Sequence, residues 1–347
     1  MRTQTVLVAL ALAACGDQTQ QTSDPPGDPG PDAAAAYEHD QGLEGAPFTL
    51  DDPACSTQVD RVFCDDVVFS VVGGTQLHLD LYAPLAARTS KRPTIMYVHG
   101  GGWLAGSWNQ LGLDIDKYLA AGYVVLGIEY RLTANPFPNV TGVKFPDNLK
   151  DVKTAVRWLR QKASFVDPDH ILAYGFSAGA HLVSVLGTTP NIAEFEGRGD
   201  PAISSVPTAV VGLSTPLDFH LFFPQNPALD PACPPQPPPA PGGTPADGVS
   251  LLLGVAPEDF QTLATSDKLD WVSAMHYAGP SSAPMLMFAG TCDQTVPYHG
   301  LEEMTEQAHV IQAPIDSLIV PMAEHGGTLS SPEAKQKLAD FIHAHLD

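Results

Sequence analysis

Positive charge is scarce in this chain of 347 residues. Seventeen Lys and Arg stand against 39 Asp and Glu, for a formal net charge of −22 with His neutral. Such a chain repels phosphate backbones, which argues against nucleic acid as a partner. Residues 3–60 hold no Lys or Arg at all. Membrane-length apolar runs are also missing. The run at the N-terminus, Val6–Ala14, has nine residues, too short to span a bilayer. No two cysteines show the spacing of a zinc site or of a redox Cys-x-x-Cys pair. No internal repeat is visible.

The N-terminus carries Arg2, the apolar run, and then Leu12-Ala13-Ala14-Cys15. Small residues before a cysteine resemble the lipobox of bacterial lipoproteins. That resemblance implies a signal peptide over 1–14 and acylation of Cys15. It also implies an exported protein, anchored in the periplasm or on the cell surface, that meets the membrane only through lipid. Residues 15–50 are acidic and poor in large apolar side chains, which predicts a disordered tether. Four cysteines remain: Cys55, Cys64, Cys233 and Cys292. Export favours disulfides. Three pairings are open, and Cys55–Cys64 with Cys233–Cys292 closes the shortest loops.

Residues 51–347 read as one catalytic domain. "VVFSVV" (67–72) and "QLHLDLY" (76–82) flank Gly73-Gly74, a hairpin signal. Six further runs follow: "TIMYVH" (94–99), "YVVLGIEY" (123–130), "ILAYGF" (171–176), "TAVVGLS" (208–214), "MLMFAG" (285–290) and "SLIVPM" (317–322). Several are almost unbroken apolar runs, as expected of strands covered on both faces. Helical patterns lie between them. One covers 147–163, with Asp147 as its cap and Leu149, Val152, Val156 and Leu159 on one face. Another runs from Ser177 to Gly187. The last opens at Ser331-Pro332, with Leu338, Phe341 and Ile342 inward. The alternation predicts an α/β fold, a mainly parallel eight-stranded sheet with helices on both faces. Proline-dense residues 222–248 interrupt it as an insertion that cannot be a regular helix or a central strand.

Ser177 stands in "GFSAG", between the strand ending at Phe176 and the helix that follows. That is the setting of a nucleophile elbow, where residues two positions to either side must be small. Here they are Gly175 and Gly179. After the strand "TIMYVH", "HGGGW" (99–103) lets the backbone turn sharply and aim amides at a substrate oxygen. Gly101, Gly102 and Ala178 are the expected oxyanion donors. Asp293 follows one strand end and His325 the last, which supplies an acid and a base in the order Ser177, Asp293, His325. His181 and Phe176 read as packing. Trp103 and Trp108 suit either a pocket wall or the core.

These motifs together resemble α/β-hydrolase fold esterases of the HGGG type, the group that holds the hormone-sensitive-lipase-like carboxylesterases. The resemblance covers residues 62–345. It implies Ser177 as nucleophile, His325 as base, Asp293 as acid, and the amides of Gly101 and Gly102 in the oxyanion hole. "EYRL" (129–132) is similar to the family's DYRL, with structural roles implied for Glu129 and Arg131. "SAGAHL" and "FPDNLKDVKTAVRWLR" are most similar to the branch with feruloyl, acetylxylan and other carbohydrate esterases and kynurenine formamidases. "TANPFPNVTGVKFPDN" is longer than the family's counterpart, and no acyl-pocket residue is carried over from it. The implied activity is hydrolysis of short-chain acyl esters, small or carbohydrate-linked, through an acyl-enzyme and without metal or cofactor. Two alternatives stay open: an amidase, arylformamidase or peptidase on the same fold, or an inactive surface-anchored binding protein.

Overall fold

The computed structural model describes residue 43 and residues 45–133, 142–222, 229–235 and 245–347. All of them fall in one compact unit, His39–Asp347. The proposed leader, Cys15, most of the expected tether and much of the proline-dense stretch lie outside the described residues; the end of the stretch expected as tether is ordered, with the Phe48 N–H donating to Lys162 O at 2.8 Å and Leu50 buried in the core.

Among the described residues, nine strands form one sheet: β1 (Cys55–Thr57), β2 (Arg61–Val72), β3 (Thr75–Pro84), β4 (Arg92–Val98), β5 (Val124–Ile128), β6 (Val166–Phe176), β7 (Ala209–Leu213), β8 (Met285–Gly290) and β9 (Ile315–Val320). Their order is β1-β2-β3-β5-β4-β6-β7-β8-β9. The first three join antiparallel, β3 meets β5 antiparallel, and every pair from β5 to β9 is parallel. The α/β-hydrolase architecture read from the sequence is present, with one strand more than the eight expected. The extra strand is β1, three residues too short to show a period. It is fixed by pairing Cys55 with Cys64, which the disulfide also joins. The Gly73-Gly74 hairpin is as expected, with both glycines at positive φ and Val72 opposite Thr75.

Among the described residues, eight α-helices accompany the sheet: α1 (Ile115–Ala120), α2 (Asp147–Gln161), α3 (Ala178–Thr188), α4 (Pro245–Leu252), α5 (Lys268–Val272), α6 (Ala274–Tyr277), α7 (His299–Ile311) and α8 (Pro332–Leu346). Alternate residues of the central strands face opposite layers. Met96 and Val98 of β4 pack in a core with Leu149 and Val152 of α2 and Leu182 of α3. Ile95 and Tyr97 pack in a second core with Tyr118 of α1 and Leu338 and Ile342 of α8. This two-sided covering is why the parallel strands are apolar throughout.

Two expectations need correction. Asp147 does not cap α2. Pro146 occupies the cap position, has no side-chain acceptor to offer, and leaves Asp147 as the first helical residue. There its charge still faces the positive end of the helix. The proline-dense stretch is not wholly irregular either. Its last four residues begin α4, where Pro245 sits at the first position, the one helical site that suits proline. The cap of α8 is as read: Ser331 Oγ accepts from Ala334 N–H at 3.0 Å.

Candidate active site

β6 ends at Phe176 and α3 begins at Ala178, so Ser177 is the whole connection. Its backbone takes φ +52° and ψ −118°, a conformation that costs a non-glycine residue on the order of 1–3 kcal/mol and is held by its surroundings. The Ser177 N–H donates to Leu213 O at the end of β7, at 2.9 Å. The tightness of the turn explains the flanking glycines. A Cβ on Gly179 would lie 2.1 Å from Val98 O, and one on Gly175 would lie 2.4 Å from Gly179 O. The first turn of α3 therefore rests on the end of β4, just where the glycine loop starts. Its free N–H groups and helix dipole put partial positive charge beside the Ser177 hydroxyl.

His325 reaches Ser177 from the loop after β9. Its Nε2 lies 3.1 Å from Ser177 Oγ, and its Nδ1 lies 2.8 Å from Asp293 Oδ2. Nδ1–H donating to the carboxylate leaves Nε2 to accept the serine proton. Asp293 is almost fully buried, and its second oxygen accepts N–H bonds from Thr295 (2.8 Å) and Val296 (2.9 Å). The carboxylate is thus locked in rotation by its own loop. Phe176 packs its ring on His325, centroids 5.0 Å apart.

The glycine loop lies against the elbow: a Cβ on Gly100 would stand 3.2 Å from Ser177 Cβ. Gly101 takes φ +117°, and a Cβ there would strike Ala105 O at 2.1 Å. Among the described residues, the N–H groups of Gly101, Gly102 and Ala178 donate to no acceptor. Amides without partners beside a nucleophile, the one on Ala178 buried and those on Gly101 and Gly102 open to an incoming substrate, suit a developing oxyanion. His99 shapes this loop. Its Nδ1 is 2.8 Å from Gly100 O, its ring stacks on Tyr130, and burial pushes its pKa down.

The remaining candidates sort by contact. His181 is fully buried, accepts at Nδ1 from Trp103 Nε1–H (3.2 Å), and donates from Nε2 to Val272 O (2.8 Å). Burial lowers its pKa to about 4, so it is a neutral, structural imidazole. Trp103 is core, packed on His181 and Phe219. Trp108 stacks on His78 and donates to Asp80 Oδ1. Glu129 accepts from the His78 N–H, and Arg131 grips buried Asp151 through Nε and Nη2. Both hold structure, as the family resemblance implied. Among the described residues no three His, Cys, Asp or Glu come together to hold a metal ion.

Two contributors were not read from the sequence. Ser214, directly after β7, is fully buried at φ +51°, and its Oγ accepts from Gly326 N–H at 3.3 Å, next to His325. Gly248 of α4 lies so close to the glycine loop that a Cβ there would be 3.0 Å from Gly102 O. "LSTP" and "ADG" carry no motif, and only the adjacency of β6, β7 and the loops gives these residues meaning.

The family model BD-FAE matches residues 79–307, well over half of the chain. Among curated proteins, the chain is 31% identical over 175 residues to non-reducing polyketide synthase Preu6 of Preussia isomera, covering 47% of this chain and 7% of that one. It is 31% identical over 138 residues to esterase LipC of Mycobacterium tuberculosis, covering 39% and 32%. The chain thus spans less than a third of either relative. Among solved structures, a truncated carbohydrate esterase from gut microbiota superposes with a TM-score of 0.65 at 21% identity, covering 87% of this chain and 99% of that one. The matched model runs from β3 into α7, through the glycine loop, the elbow and Asp293, and the chain belongs to the BD-FAE family.

Proposed function

We propose that this protein is a serine carboxylesterase that hydrolyses short-chain acyl esters, with Ser177, His325 and Asp293 as its triad. The observation that carries the reading is the unbroken relay from Ser177 Oγ to His325 Nε2 (3.1 Å) and from His325 Nδ1 to Asp293 Oδ2 (2.8 Å). His325 takes the Ser177 proton as Oγ attacks the ester carbonyl. Asp293 keeps the proton of the imidazole on Nδ1 and stabilises the imidazolium that forms. The amides of Gly101, Gly102 and Ala178 receive the oxyanion. His325 then protonates the departing alcohol, and water, activated by the same imidazole, releases the acid from Ser177.

The names of the relatives support the substrate class. One is called an esterase and one a carbohydrate esterase, which makes acyl groups on sugars the first natural candidates to try. The chemical test is covalent. A p-nitrophenyl phosphonate should label Ser177 one-to-one and abolish ester hydrolysis; a label on another residue, or none, refutes the assignment. An acyl amide cleaved faster than the matching ester would move the reading to an amidase. We also propose export as a lipoprotein through Cys15, with the residues after it as a tether up to Phe48, which hydrogen-bonds into the domain. Metabolic labelling with a fatty acid should mark the wild type and not Cys15→Ser.

A further inference from the structure

We propose that the disulfide Cys233–Cys292 is a positioning element of the site, setting where Asp293 stands relative to His325. The proposal rests on the serine-hydrolase reading above. Cys292 immediately precedes Asp293, just past the end of β8, and is fully buried. Its partner comes from 59 residues earlier in the chain. The stretch around Cys233, residues 229–235, contains no helix or strand. It meets the acid loop a second time, where the Asp230 N–H donates to Thr291 O at 3.4 Å. One side of the acid loop is therefore held at two successive residues, 291 and 292.

The other side of the same two residues is tied to the base loop. The Cys292 N–H donates to Ala323 O at 3.0 Å, and the Met322 N–H donates to Thr291 Oγ1 at 2.9 Å. Ala323 is two residues from His325. Residues 291–292 are thus the point where the 229–235 stretch, the acid loop and the base loop meet. The loop's own amides fix the rotation of the Asp293 carboxylate but not the position of the loop. Among the described residues, the other approaches between the two segments are long: the Asp230 N–H to Thr291 O and Cys233 Sγ to Thr291 O, both at 3.4 Å and near the outer limit for a hydrogen bond.

The second bridge offers an internal contrast. Cys55–Cys64 ties β1 to β2 at the edge of the sheet farthest from β8 and β9. It lies away from the triad, so its removal is expected to affect stability alone.

The test compares Cys233→Ala/Cys292→Ala with Cys55→Ala/Cys64→Ala in hydrolysis of p-nitrophenyl acetate across pH, well below both melting temperatures. Losing Cys233–Cys292 should lower kcat by roughly ten-fold or more with little change in KM, since small misplacements of a catalytic group are costly. Losing Cys55–Cys64 should lower Tm and leave kcat and the pH profile unchanged. If removing Cys233–Cys292 likewise lowers only Tm, the proposal is overturned. Should that variant not fold, the Cys55→Ala/Cys64→Ala protein is treated natively with a phosphine reductant, with thiol titration to show the remaining bridge open. Unchanged kinetics with that bridge open overturn the proposal, and a loss restored by reoxidation supports it. A wild type that neither hydrolyses esters nor takes the phosphonate label overturns the serine-hydrolase reading and the proposal with it. Failure of the proposal alone is distinguishable, because the wild type is then active and the variant matches it.

Discussion

The sequence points to Ser177, Asp293 and His325 because each lies within a few residues of the end of a strand that stands out as an apolar run. Ser214 follows one too, but its role depends on β7 lying beside β6 and beneath the base loop, which no local pattern encodes. Ser214→Ala removes the acceptor for the Gly326 N–H and keeps the fold of the strand. Its kcat should fall about ten-fold with KM nearly constant, in steady-state kinetics on a short-chain ester. His181 makes a different prediction. Its folded pKa of about 4 lies below the ordinary histidine value of about 6.5, so the unfolded chain binds the extra proton. The resulting stability is fully present above pH 6.5 and is lost as pH falls toward 4. The size is roughly 3 kcal/mol for a shift of that order. Urea midpoints should drop across that window in the wild type and drop less in His181→Gln.

The strands were legible within a few residues because their burial on both faces leaves an apolar signature. The exception, β1, is three residues of "CST" whose place comes from a disulfide and a partner strand rather than from its own sequence. In α2 the expected apolar face is present, but the opposite side is also buried. Lys153 and Arg157 pair there with Glu196, and Asp151 pairs with Arg131. Charged residues on a helix normally signal solvent, and here they are buried in pairs instead. The Asp151 carboxyl is fully buried, and desolvation pushes its pKa up against the pull of Arg131. Arg131→Ala strands that carboxyl and should cost about 3–5 kcal/mol in denaturant unfolding, with Asp151→Asn/Arg131→Ala recovering part of it. The cap of α8 is a smaller lever: Ser331→Ala should lower stability by about 1 kcal/mol, read as a modest fall in Tm.

At the scale of the molecule, the chain carries a net charge of −22, and the proposed chemistry needs no charge on the substrate. Cationic esters should therefore be taken faster than anionic ones of similar size at low ionic strength, with the gap closing as salt is raised. The two bridges divide between a sheet edge and the acid loop, a pairing that spacing left open and that the fold decided by bringing residues 233 and 292 together. The central claim concerns one hydroxyl. Hydrolysis of p-nitrophenyl acetate by the wild type and by Ser177→Ala, at equal concentration of folded protein, tests it most directly. The account predicts turnover in the wild type, and in the variant a loss of at least a thousand-fold, down to what the oxyanion amides and binding supply. A variant that retains the wild-type rate would contradict it, and the nucleophile would have to be sought elsewhere in the chain.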